Sequence, residues 1–337
     1  MVYIFGRNLE FYKMACNDEK HGATFIDIPR GQHFLHIIQT IKSVYENSKP
    51  MDIFVFYHTV FFTLDPKQSY GGKGQRKHAR RIKKFIRTIT NKKVLYFHDE
   101  GWVVQLLHIK KNQQMSKKWK CVDKIATYDK NMAVLHNWPY IKYSIEDIRT
   151  TTNINSKKKK YDISIIQGYD VYNGQANKRM NDTYYFLHRL NAYKVNYLFG
   201  FRVGEKDILK KRGANEEQIK QTNYLALQNN YSPTNNFLQE FKYKIVDTKC
   251  CCFMSGGNAY ITGKLQMAVL LNQKIITDLE EIKNTPFYDE RWIKVVDFTI
   301  VSDTVMKWLK DDKIKPNYKH KEYCLGGEFA KEIKKLF

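Results

Sequence analysis

Carboxylates are scarce in this chain. Its 337 residues carry 34 Asp and Glu against 57 Lys and Arg, a formal charge of +23. A folded protein with such an excess repels itself, so an anionic partner is expected, nucleic acid before an acidic membrane surface. Lysine inflated by AT-rich coding is the bland alternative, and it leaves any local block of charge unexplained. Cysteine is sparse too: there are six, without a C-x-x-C pair, and Cys250, Cys251 and Cys252 are consecutive in an apolar run. That argues against a zinc site or a disulfide framework and for a reducing compartment. No apolar run approaches 18 residues, and residues 1–5 are too short for a signal peptide, so a soluble cytoplasmic protein is expected. The P-loop and G-x-S-x-G patterns are also absent, which removes two common catalytic frameworks.

What is present is enough to fold. Hydrophobic residues make up 43% and aromatics 14% of the chain, too many for disorder, and the length suits two domains better than one core. The stretch from Gly71 to Trp102 organises the rest. It reads as a glycine-rich turn, a basic helix, a buried strand at 94–97, and a carboxylate, Asp99, just past that strand. Between Lys67 and Lys93 there are eleven Lys or Arg and no Asp or Glu. Ala79, Ile82, Phe85, Ile86 and Ile89 fall on one helical face, which turns the cations outward. Lys73, Arg76, Lys77, Arg80, Arg81 and Lys84 are therefore the expected contacts to a polyanion, and Tyr70 and Trp102 could stack on an extruded base. In open α/β sheets reactive groups gather beyond the carboxyl ends of the strands, so Asp99 is the candidate general base. His98 and Glu100 are its rivals, and a helix cap or surface ion pair is the alternative role.

Along the chain, strands alternate with helices. Strands are expected at 2–6, 24–28, 52–57 and 94–97, with a helix at 32–46 before the third, and then a short strand and helix from Val122 and a further strand at 141–143. This implies a parallel sheet with right-handed crossovers. Residues 150–160, with four successive lysines, read as an interdomain linker or as a long loop within one domain. A second series follows: strands at 161–166, 195–199, 249–254, 274–277 and 292–296, helices at about 176–190, 216–221, 234–241 and 262–271, and a short amphipathic helix at 328–337. The division expected is an acceptor-binding domain at 1–152, completed by 318–337, and a nucleotide-binding domain at 160–317. By analogy of fold, two Rossmann-like domains facing a cleft, with a C-terminal helix crossing back, is the GT-B architecture.

In the second series, Gly256 and Gly257 follow a strand, and the next helix begins near Thr262 with Lys264 in its first turn. Glycines permit close backbone approach, and a helix N-terminus with a lysine attracts phosphate. A tight strand-to-helix connection would look the same. Gly168, Tyr169, Asn173, Gly174 and Gln175 form a similar loop, and Gly200 and Phe201 close another strand where a nucleobase could lie. No Asp-x-Asp occurs, which argues against a metal-centred GT-A site.

The order of these features resembles the DNA β-glucosyltransferases of T-even phages. The matching segments are Tyr70 to Lys73 (aromatic, Gly-Gly-Lys), the strand running into His98 and Asp99, Lys159 to Asp162, Gly174 with Gln175, Phe199 with Gly200, and Ile261 to Lys264. The resemblance implies inverting transfer of a sugar, glucose first, from a UDP-sugar to the hydroxymethyl group of a pyrimidine flipped out of double-stranded DNA, with Asp99 as base. It implies a monomer with no membrane partner, and leaves open whether Mg2+ or Mn2+ assists. Some positions depart from the family. Its loop arginines fall at Tyr172 and Ala176, with Lys178 and Arg179 as displaced substitutes; an acidic residue of the donor helix falls at Met267, beside Gln266; and an early acidic residue falls at Gln32. Acceptor and sugar are not fixed by the sequence. The competing readings are a GT-B enzyme of cell-surface polysaccharide synthesis and a nucleic-acid-binding module without catalysis.

Overall fold

The computed structural model describes residues 1–6, 18–28, 32–62, 73–97, 119–128, 130–142, 159–168, 174–202, 215–228, 230, 245–255 and 261–337. Among them are two parallel five-stranded sheets and eight α-helices, an α/β architecture compatible with two Rossmann-like domains. The chain divides into one unit formed by Met1–Glu146 with Cys324–Phe337, and another formed by Asp147–Tyr323.

In the first unit the strands β1 (Val2–Gly6), β2 (Ala23–Asp27), β3 (Ile53–Tyr57), β4 (Lys92–Phe97) and β5 (Lys124–Thr127) lie in the order β2-β1-β3-β4-β5, all parallel. Every residue of β3 and residues 94–97 of β4 are buried, which is why these stretches read as unbroken apolar runs rather than alternating ones. Helices α1 (Phe34–Glu46) and α2 (Lys73–Ile86) pack against each other. Ile37 and Ile41 of α1 and Ile82 and Ile86 of α2 join a core built largely of rings, Phe5, Phe54, Phe56, Phe61, Phe97 and Trp119 among them. A short helix α3 (Lys130–His136) follows β5. The strand expected at 141–143 is reduced to an isolated bridge between Thr127 and Tyr140, and the chain beyond Lys142 leaves the described residues. An ion pair closes the amino edge of this sheet: the Met1 ammonium lies 2.7 Å from the Asp52 carboxylate, which also accepts from the Lys49 N–H at 2.7 Å.

In the second unit β6 (Tyr161–Gly168), β7 (Tyr197–Arg202), β8 (Thr248–Phe253), β9 (Lys274–Thr277) and β10 (Ile293–Val295) are again all parallel, in the order β10-β9-β8-β6-β7. Both units share one winding, in which the first strand is flanked by the second and third. The chain's direction of winding reverses there, between β1 and β3 in one sheet and between β6 and β8 in the other. The helices are α4 (Gly174–Ala192), α5 (Glu216–Gln228), α6 (Gly263–Leu270) and α7 (Asp303–Lys310). Helix α6 is buried along nearly its whole length, with Leu265, Met267, Ala268 and Val269 each at most 1% exposed. Helix α7 is not among the helices expected from the sequence. Ser302 caps it by accepting from the Val305 N–H, and Met306 and Leu309 bury its inner face.

The last helix, α8 (Gly326–Lys334), packs within the first unit. Phe329 meets Tyr96 edge-on at 5.1 Å, and the Gly327 N–H donates to Asp18 Oδ2 at 3.0 Å. A Cβ on Gly327 would come within 2.7 Å of the His21 Cβ, so only glycine fits this contact. The segment that joins the first unit begins at 324, later than the 318 expected. Tyr318 stays with the second unit, its hydroxyl donating to the Gln273 carbonyl oxygen at 2.8 Å.

Candidate functional site

At the carboxyl edge of the second unit's sheet, β6 and β8 end side by side at the point where the winding reverses, and several polar groups converge there. Lys264, in the first turn of α6, donates its ammonium to the carbonyl oxygen of Ile166 in β6 and reaches over the Phe253 ring of β8 at 6.0 Å. The residue as a whole is half-buried, yet its ammonium end lies deep among protein atoms, and burial there lowers its pKa. Cys251 and Cys252 are close by. Burial pushes the Cys251 thiol up to about 11 and the Cys252 thiol well above its ordinary value, so both stay neutral at pH 7 and contribute no negative charge against the lysine. Thr262 occupies the N-cap of α6 but does not cap it, and its buried hydroxyl oxygen has no hydrogen-bond partner. That places an unpartnered hydroxyl at the start of α6, beside Lys264.

Helix α4 adds two adjacent cations that behave differently. The Arg179 guanidinium donates from Nη2 to the carbonyl oxygen of Ser255 at 2.7 Å, while its Nε is buried without a partner. Lys178 instead binds Asp182 at 2.6 Å and Asp278 at 3.0 Å. Desolvation opposes the Lys178 charge, but the two carboxylates outweigh it and raise the pKa. Asp182 is nearly enclosed, and desolvation raises its pKa despite that lysine. Of the two substitutes expected for the displaced arginines, Arg179 keeps a buried N–H without a partner, whereas the Lys178 ammonium is held by two carboxylates.

The remaining expected donor residues are distributed as follows. Gly168 ends β6, Gly174 and Gln175 open α4, and Gly200 is buried in β7 beside Phe201. Gln266 is 1% exposed, inside the helix core, with its amide donating to the Ile261 carbonyl oxygen at 3.3 Å; this placement turns it into the fold. Tyr169, Gly256 and Gly257 lie outside the described residues. Asp278 was missed by the sequence reading. Its signal was available: it stands directly after β9, the same strand-end position that singled out Asp99.

In the first unit, α2 carries its charge in solvent. Lys77, Arg80, Arg81, Lys84 and Arg87 are all exposed, and their spacing sets them on one stripe opposite Ile82 and Ile86. Arg81 also stacks over Phe34 at 4.3 Å, which ties the stripe to the start of α1. Lys83, off the stripe, lies over the Trp119 ring at 3.3 Å. Lys73 and Arg76 belong to the same helix. Arg87 extends the expected set by another turn. Asp99 and Trp102 lie outside the described residues; β4, the strand that precedes them in sequence, ends at Phe97.

No family model matches the chain, and neither does any curated protein. No helix among the described residues is long and apolar enough to cross a membrane.

Proposed function

We propose that this protein is a GT-B glycosyltransferase that moves a sugar, glucose first, from a UDP-sugar to the hydroxymethyl group of a modified pyrimidine in duplex DNA. The observation that carries the reading is the convergence of Lys264, Arg179 and the unpartnered Thr262 hydroxyl at the start of α6, where the second sheet's winding reverses. A diphosphate needs cationic and N–H donors fixed before it arrives, since donors already in place cost nothing to reorganise when the leaving group gains charge. The exposed stripe of α2 supports the acceptor half of the reading. From Lys77 on α2 to Arg87, the residue just past its end, it runs ten residues, about 15 Å, long enough to meet phosphates over about four base pairs.

In this mechanism the target base leaves the stack, because an in-stack hydroxyl is beyond the reach of a protein carboxylate. Asp99 takes the proton of the hydroxymethyl group, the oxygen attacks the anomeric carbon, and the bond to UDP breaks with inversion. Lys264 and Arg179 receive the negative charge that builds on the departing diphosphate. The test is release of UDP from UDP-glucose on incubation with duplexes that carry hydroxymethylcytosine, hydroxymethyluracil or neither. Release that depends on the hydroxymethyl group is expected. Release indifferent to DNA, or its absence across a panel of UDP-sugars, would overturn the proposal.

A further inference from the structure

Asp278 is a carboxylate placed inside a cluster otherwise suited to anions. Its Oδ1 accepts from the Ser255 N–H at 2.5 Å, and its Oδ2 binds the Lys178 ammonium at 3.0 Å. The Ser255 carbonyl oxygen, on the opposite side of that residue, accepts from Arg179. Ser255 is thus held through its N–H by the end of β9 and through its C=O by α4, and it is the residue that leads into Gly256 and Gly257. Asp182 holds Lys178 from within α4 itself, one turn on. The four side chains form one connected network across α4, β8 and β9.

We propose that Asp278 is the positioning residue of the anion site. It fixes the chain just before the glycines and ties down the first turns of α4, so that Arg179 meets the diphosphate in one orientation. Lys178 has a complementary part: it offsets the carboxylate's charge, so that Arg179 and Lys264 supply the net positive field. The inference rests on reading the site as one for the diphosphate of a nucleotide. Asp278 itself touches no ligand and works through Ser255 and the α4 cations.

The test uses UDP as probe and the full-length chain. UDP affinity is measured by calorimetry for wild type, Asp278→Asn, Lys178→Met and the double variant. Asp278→Asn should lose about tenfold or more in affinity, the size expected when a hydrogen bond to a charged group is lost. Lys178→Met, whose own side chain is 52% exposed but whose loss leaves the enclosed Asp182 without its cation, is compared at a temperature where circular dichroism shows it folded and should also weaken binding. The double variant should be no weaker than the sum predicts, and markedly less so if the two residues act as one unit. In the transfer reaction the loss should raise KM for the UDP-sugar and also lower kcat, because Arg179 faces the charge that builds as UDP leaves. Unchanged UDP affinity in both single variants, or a loss confined to kcat, overturns the positioning role and leaves the donor site standing. A wild-type protein that does not bind UDP removes the donor reading and this inference together. If Asp278→Asn does not fold, Lys178→Met decides the matter from the other end of the same link.

Discussion

Two regions of the chain use lysine in opposite ways. On α2 the cations of the outward stripe stand in solvent at helical spacing, whereas Lys264 and Lys274 in the second unit, like Lys93 of β4 in the first, are turned inward and bonded to backbone carbonyl oxygens. Lys274 is 2% exposed and donates to the carbonyl oxygens of Trp308, Leu309 and Asp311 at 2.8, 3.2 and 2.6 Å, closing the C-terminus of α7. A net charge of +23 counts these lysines alike. Only the exposed ones can exchange salt ions for phosphates, so charge at the surface bears on partners and charge in the interior bears on stability and on preorganised sites.

That contrast can be sharpened or broken by substitution. The largest effect is expected at Asp99. Asp99→Ala should lower turnover by about 10²- to 10⁴-fold, the usual contribution of a general base, with UDP affinity unchanged; near-normal turnover removes the assignment. Next comes Lys274→Met. It leaves the carbonyl groups at the end of α7 without their donor, and although it also relieves the burial that lowers this lysine's pKa, a net loss of about 2 kcal/mol in urea unfolding is expected. The surface counterpart is the double change Arg80→Glu with Lys84→Glu. It should leave unfolding within about 0.5 kcal/mol of wild type, weaken duplex binding, and make the log-log salt slope shallower by about 2. If it instead destabilised the fold while sparing DNA affinity, the contrast between surface and interior cations would fail.

The smallest effect concerns the Met1–Asp52 pair. Desolvation opposes the Asp52 charge, but the Met1 ammonium and the Lys49 N–H overcome it and hold the pKa below the ordinary carboxylate value. A depressed carboxylate stabilises the fold above its unfolded pKa of about 4 and loses that contribution as pH falls through the folded value. Asp52→Asn should therefore cost about 1 kcal/mol at pH 7, with the difference from wild type shrinking below about pH 4. A cost independent of pH would show that the charge is not what matters.

Much of the fold was legible in the sequence because buried parallel strands announce themselves as unbroken apolar runs. Residues 53–57 are an example, and the apolar stripe Ile82, Ile86, Ile89 fixed the outward face of α2. Helix α7 was not legible. At eight residues it has little room to display a period, and its stability depends on the Ser302 cap and on Lys274, which is distant in sequence. The boundary near 318 was misplaced for a similar reason, since the bond from Tyr318 to Gln273 leaves no local trace. Lys264 was singled out by its place in a helix's first turn after a glycine turn, and Arg179 only through the resemblance, as a substitute for displaced arginines. The network around Asp278 was not, because hydrogen bonds to Ser255 and Lys178 join three separate elements. The same limit applies to Lys178 and Arg179, neighbours in sequence whose different partners only the fold could separate.

The central claim is most directly tested by mass. Duplexes with and without hydroxymethylated pyrimidines are incubated with the protein and UDP-glucose, digested to nucleosides, and weighed. The account predicts a gain of one hexose on the hydroxymethylated nucleoside and on no other. No gain on any nucleoside across the UDP-sugars, with the same protein shown to be folded, would contradict it.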